Sequence, residues 1–207
     1  MGVIKMSDLP TTKNKKFEVA KNWAELKIHP NNKANQELIT KNSPNPLHSI
    51  VPDGAWKGRR CFIVGGGESL KNFDWRMLDG ELTIGINKAL EKIEPDILFS
   101  MDSRFYRWIT NGELGNELKE KFEKFRGIKV WLNTHNFRGF GEDVYLLDSA
   151  GEKALTFSLK DGLGHGNNSG YSALNLAVCL GANPIYLLGF DMKGRNGRQS
   201  WWHNGYP

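Results

Sequence analysis

Two cysteines in 207 residues are too few for a disulfide framework, and their placing argues against a metal or redox motif. Cys61 lies in an apolar run and Cys179 in a predicted helix, with no C-x-x-C spacing. Both read as reduced, buried small hydrophobes without a catalytic role. No apolar stretch approaches the roughly 20 residues that cross a bilayer, so no membrane span is expected. The opening MGVIKMSDLP lacks the apolar core and cleavage site of a secretory signal, and Met6 stands where a myristoylation pattern needs Ser or Thr. A cytoplasmic address is the expectation. Two nucleotide motifs are also missing. No G-x-x-x-x-G-K-[ST] occurs, and Leu70 takes the place of the third glycine of G-x-G-x-x-G, which disfavours P-loop NTPases and NAD dehydrogenases.

A net charge of +5 resembles a nucleic-acid signal until it is located along the chain. Residues 1–60 carry eleven Lys or Arg against five Asp or Glu; residues 61–207 carry seventeen against eighteen. The body is neutral. The basic pI of about 9.1 therefore describes an arm, able to attract polyanions weakly and in a salt-sensitive way. Its composition, with KNKK, HPNNKANQ and KNSPNP, cannot bury much surface. One stretch differs: in KKFEVAKNWAELKIH, Phe17, Ala20, Trp23 and Ala24 share a helical face, so a short amphipathic helix is expected to dock on the body or on a partner chain, including a second copy. The division expected is an arm over residues 1–55 and one domain over 56–207.

From Arg60 the pattern changes to short apolar strands alternating with helices. CFIVGG, ELTIGIN, PDILFSMD, IKVWLN and NPIYLLGFD read as strands, with further candidates at DVYLLD and ALTFSL. SLKNFDWRML reads as a helix with Ser69 as its N-cap, KALEKI as a short helical turn, NELKEKFEKF as a charged surface helix and YSALNLAVCLG as a buried one. Strands apolar throughout and separated by helices indicate an α/β fold, a doubly wound, mostly parallel sheet with helices on both faces.

Such sheets bind ligands at the carboxyl ends of their strands. The first strand ends in Gly65, Gly66 and Gly67 with Ser69 behind, the second in Asn87, the third in Asp102, the fourth in Asn133 and Thr134, and a late one in Asp191. Glycines without Cβ atoms let backbone amides approach an anion, and a helix starting near Ser69 would aim its positive end there; equally, three glycines can simply make a tight turn. GHGNNSGYSALNLA repeats the device, with Asn168, Ser169 and Gly170 opening a helix that either holds a second phosphate or ribose or is plainly capped. Asp102 and Asp191 could coordinate Mg²⁺ or cap the turns that follow them. WWHNGYP surrounds His203 with Trp201, Trp202 and Tyr206, either a platform for an acceptor with a histidine base or an aromatic patch closing the domain.

CFIVGGGESLKNFD, LTIGINKAL, PDILFSMD and NSGYSALNLAVCLGANPIYLLGFDMK together resemble a family of Rossmann-like domains that includes archaeal-type 6-hydroxymethylpterin diphosphokinases and many bacterial and bacteriophage proteins. The same blocks are similar to bacterial sialyltransferases of glycosyltransferase family 42. The likeness runs from about Arg60 to Asp191. The diphosphokinase resemblance implies diphosphoryl or phosphoryl transfer from ATP to a small hydroxyl acceptor. In that reading Gly65, Gly66, Gly67, Ser69 and Ser169 position phosphates and Asp102 and Asp191 lie near Mg²⁺. The sialyltransferase resemblance implies a CMP-sugar or other nucleotide-sugar donor held by the glycine turn, Ser69, Asn87, Ser169 and Gly170, with His203 as base. Lys193, Arg195 and Arg198 stand where those enzymes hold the donor phosphate with tyrosines. Glu68 replaces a proline usual in both families and would repel an anion unless metal intervenes. A third expectation follows from that carboxylate: a nucleotide-binding or virion accessory protein without turnover.

Overall fold

A computed structural model of the chain describes residues 45–134, 137–192, 194–195, 198–199 and 201–207. The apolar runs form β1 (Cys61–Val64), β2 (Leu82–Ile86), β3 (Ile97–Ser100), β4 (Ile128–Leu132), β5 (Val144–Leu147), the short parallel pair β6 (Ser149–Gly151) and β7 (Leu163–Gly164), and β8 (Ile185–Leu188). A two-residue hairpin, β9 (Gly194–Arg195) with β10 (Arg198–Gln199), follows. The helices are α1 (Ser103–Asn111), α2 (Asn116–Lys124) and α3 (Ser169–Cys179).

The main sheet has the order β5-β4-β3-β2-β1-β8, and every neighbouring pair is parallel. From β1 the chain lays strands in one direction out to β5, then returns to place β8 on the other side of β1. The strand order therefore reverses between β1 and β8, the place where open α/β sheets leave a crevice. Parallel pairing puts all six carboxyl ends on one edge.

Side-chain alternation along the strands sorts the core onto two faces. Cys61, Ile63, Ile84, Ile97, Phe99, Val130 and Leu132 pack with Ala173, Leu176, Ala177 and Leu180 of the α3 segment and with Leu47, Val51 and Trp56. On the opposite face Leu98 and Trp131 pack against Phe105, Tyr106 and Ile109 of α1 and Leu118 and Phe122 of α2, while Phe62 and Val64 meet Leu70, Leu78 and Ala89. Fully burying one such side chain contributes about 1.5–3 kcal/mol, so this two-faced covering, the doubly wound α/β arrangement, is what the apolar strands require.

The structure departs from the sequence reading at several elements. SLKNFDWRML is two 3₁₀ turns, Glu68–Leu70 and Trp75–Leu78, because Asp74 turns its side chain onto the Arg76 amide and caps a new turn. ALTFSL is no strand: Thr156 is tied to Asn175 and Leu159 begins a 3₁₀ turn. α1 has no counterpart among the elements read from the sequence; Asp102 starts it by accepting from the Arg104 amide, and Gly112, at φ 80°, ends it. Residues 45–55, read as arm, join the body. Leu47 and Val51 are buried and Pro46 bridges to Leu146 on the outer side of β5. The amphipathic stretch at 17–24 lies outside the described residues. Among the described residues no helix is long and apolar enough to cross a membrane.

Candidate functional site

The carboxyl edge of the sheet gathers the residues singled out from the sequence, and the segment Trp201–Pro207 lies across it. Trp202 donates its amide to the Gly66 carbonyl at 3.1 Å and its indole N–H to the Gly65 carbonyl at 3.0 Å. Trp201 bridges to Gly67. Further along, the Asn87 side-chain amide donates to the Tyr206 hydroxyl at 3.4 Å, and Tyr206 sets its ring against Phe105 and Trp108 of α1. The segment thus spans the ends of β1 and β2 and reaches the helix that follows β3.

α3 is tied to the same edge. Its first residue, Ser169, accepts at Oγ from the Met101 amide at the end of β3, at 3.4 Å. Asn168 caps the helix by accepting from the Gly170 and Tyr171 amides. Phe190 is the hinge pin between the two glycine-rich segments: its ring would touch a Cβ on Gly65 at 3.2 Å and one on Gly170 at 2.5 Å. Gly66, Asn87 and Ser169 therefore stand on one rim, as the strand-end argument requires.

The amides of the glycine turn, however, are largely spent inside the protein. Gly65 donates to the Leu188 carbonyl and Gly67 to the Gly189 carbonyl. Both oxygens of Asp191 are taken by Ser69, one by its amide at 2.8 Å and one by its hydroxyl. A Cβ on Gly67 would lie 2.5 Å from the Gly189 carbonyl oxygen and 2.6 Å from Asp191 Oδ2. The anion expected at this turn is the chain's own carboxylate. The glycines serve the close approach of β1's turn to the turn after β8, and Ser69 is Asp191's partner rather than a helix cap. The three residues of the 3₁₀ turn also lack the length to sum a useful dipole. Among the described residues the Gly66 amide has no partner.

Asp102 and Asp191 do not suit a shared Mg²⁺. They follow β3 and β8, three strand spacings apart, roughly 14 Å at about 4.8 Å per step. Arg104 engages both Asp102 oxygens, the closest contact at 2.8 Å. Burial opposes ionisation of Asp102, but the hydrogen bonds and charge of Arg104 prevail and hold its carboxyl below the usual range. Among the described residues no group of three or more His, Cys, Asp or Glu could hold a metal ion. Lys193 lies outside the described residues.

His203 is half-buried, stacked on Trp201 with ring centroids 5.6 Å apart and met edge-on by Trp202 and Tyr206. Burial, and then the nearby Lys88 ammonium, push its pKa down to about 4. The ring is therefore neutral at pH 7. The Gly205 amide donates to Nδ1 at 3.0 Å, which leaves the ring proton on Nε2. Nε2 stands beside Gly66, where an added Cβ would meet it at 3.3 Å. In this arrangement His203 presents a hydrogen-bond donor to the rim; the base expected of it would need the opposite tautomer.

Lys88 is a rim residue that the sequence reading passed over. It is buried, with its ammonium 2.9 Å from Glu91 Oε1 and 3.2 Å from the Gly205 carbonyl. Its signal in the sequence is slight: a lysine directly after Asn87, in a turn otherwise apolar on its inner side. Asn87 adopts a left-handed backbone at φ 51°, and its Oδ1 is buried without a hydrogen-bond partner.

Comparison with protein-family models, with curated proteins and with solved structures returned no match.

Proposed function

We propose that this chain is a nucleotide-dependent transferase that holds its donor at the rim between Gly66, Asn87 and Ser169 and takes a nucleotide-sugar, as the likeness to family 42 sialyltransferases implies. The observation that carries the reading is the setting of His203. A neutral imidazole offers Nε2–H beside Gly66, whose amide has no partner among the described residues, and the unpaired, buried Asn87 oxygen belongs to the same rim. Two donors on one rim suit a phosphate oxygen. The rim lies at the reversal of strand order, the usual ligand position of such sheets.

In this reading His203 donates to the phosphate that departs with the nucleotide and stabilises the charge gathering on it, rather than taking the acceptor's proton. Segment 201–207 forms one wall of the site. The ATP reading sets Asp102 and Asp191 near Mg²⁺, and their separation and existing partners give it less support.

The test is a thermal-shift panel of CMP, CDP, UDP-sugars and ATP, each with and without Mg²⁺. A metal-independent shift with a cytidine or uridine nucleotide supports the proposal. A shift with ATP that depends on Mg²⁺ would replace it with phosphoryl transfer, and no shift with any ligand would leave a nucleotide-free binding module.

A further inference from the structure

The buried Lys88 ammonium is held by two partners from distant parts of the chain. Placing a lysine at a strand end, out of water, is costly unless its charge is paired, and here the pairing runs in two directions. Glu91, three residues on in the same turn, supplies the negative charge at 2.9 Å. The Gly205 carbonyl, 117 residues away, takes a hydrogen bond at 3.2 Å. Gly205 has φ +86°, a left-handed conformation that holds its amide toward the His203 ring two residues earlier, and that amide donates to Nδ1. Glu91, Lys88, Gly205 and His203 therefore form one chain of contacts from the turn after β2 to the ring beside the glycine turn.

We infer that Lys88 is a positioning residue: braced by Glu91, it grips the Gly205 carbonyl and so fixes the turn whose amide selects the Nε2–H form of His203. Which ring nitrogen of a histidine carries the proton is set by the bond the other nitrogen makes. Without the brace, residues 204–206 lose a tether at the rim, the Gly205 amide no longer points steadily at Nδ1, and both tautomers become accessible. Asn87, the neighbour of Lys88, binds Tyr206 in parallel, so the two successive residues hold both sides of the same turn. Of the charged and titratable groups, Lys88 acts on the ring and Tyr206 packs against it edge-on; one contact further out, Glu91 and Asp102 act on Tyr206 and Lys92 lies over Trp202. The inference rests on the reading of His203 as the donor that faces the ligand, though its structural half stands separately.

The experiment is ¹⁵N NMR of the imidazole rings in the full chain, with His203 assigned by its loss in His203→Gln. At pH 7 the unaltered chain is expected to show a bare Nδ1 and a protonated Nε2. In Lys88→Met the ring should average between tautomers, and its titration midpoint should rise from about 4 toward the ordinary histidine value. Retention of tautomer and midpoint in Lys88→Met would overturn the inference. So would a wild-type spectrum showing Nδ1–H, which settles the matter even if the variant does not fold. CMP titration separates this from the proposed function. If CMP binds, Lys88→Met should weaken it about tenfold, the equivalent of one misaligned hydrogen bond. If CMP does not bind the unaltered chain, the transferase reading fails while the spectra still decide the role of Lys88.

Discussion

Asp191 accepts both the amide and the hydroxyl of Ser69, across 122 residues of chain, and so joins the turn after β8 to the turn after β1. The carboxylate occupies the place where an external phosphate was expected. Rossmann-like geometry at the point of strand reversal is here closed by the protein's own anion.

Removing that carboxylate leaves the Ser69 amide and hydroxyl without their partner. Asp191→Ala should lower stability by about 1–3 kcal/mol, the usual loss for hydrogen bonds to a charged group. Chemical denaturation of the two proteins measures it, and an unchanged midpoint would show the contact to be idle.

Two neighbouring glycines should respond differently to alanine. In Gly67→Ala the new methyl meets the Gly189 backbone oxygen at 2.5 Å, so backbone must move, at a cost of about 1–3 kcal/mol or more. In Gly66→Ala the methyl meets only side chains, Trp201 and His203, at 3.0 and 3.3 Å. The second variant should stay nearer the wild-type melting temperature while changing tryptophan emission as segment 201–207 shifts. Equal destabilisation of both would contradict the packing described.

Asp102 begins α1, and its carboxyl is held below its ordinary pKa by Arg104. A group depressed in the folded state stabilises above its unfolded pKa of about 3.9, and that contribution disappears as pH falls through the folded value. Asp102→Ala should cost about 1 kcal/mol at pH 7, mainly as a lost cap, since the ion pair with the exposed Arg104 adds little. Comparing the variant with wild type by urea unfolding at pH 7 and again below pH 3 should show the gap closing in acid.

His203 gives an opposite reason for acid sensitivity. Its folded pKa of about 4 lies below the ordinary value of about 6.5, so the unfolded chain takes up the proton first and stability declines as pH falls from 6.5 to 4. The shift corresponds to about 3 kcal/mol, reduced to about 1–2 kcal/mol by solvent reaching the half-buried ring. In His203→Gln the slope of stability against pH should flatten across this window. A slope unchanged by the substitution would mean that the ring titrates normally.

Asn175 is a fully buried side chain that serves three backbone groups of the loop before α3. Its oxygen accepts from the Thr156 and Gly164 amides at 3.1 and 2.9 Å, and its amide donates to the Thr156 carbonyl at 2.8 Å. Asn175→Leu should destabilise by roughly 3 kcal/mol or more, because each buried group left unpaired costs about 1–3 kcal/mol. Faster hydrogen exchange at residues 154–164 would show that the loop, rather than the helix, is what loosens.

Much of the architecture could be read from residue order because it depends on local pattern. Runs such as CFIV and ILFS, apolar but for Ser100, are buried at every position, and only a strand covered on both faces can bury them so; the alternating helical segments then require parallel pairing. Polar residues at the strand ends, Asn87 and Asp102 among them, had to fall on one edge for the same reason. Helix boundaries within 68–78 were less legible, since Asp74 competes for local amides and breaks the pattern. The condition of the glycine turn was beyond any local reading. Whether its amides meet a ligand or a carboxylate depends on Asp191, which β8 brings alongside β1 from the far end of the chain, and whether His203 gives or takes a proton depends on Lys88 and Gly205 meeting across 117 residues. Periodicity acts over a few residues and so is written in their order; the pairing of charges and hydrogen bonds at the rim arises only when distant turns share one edge.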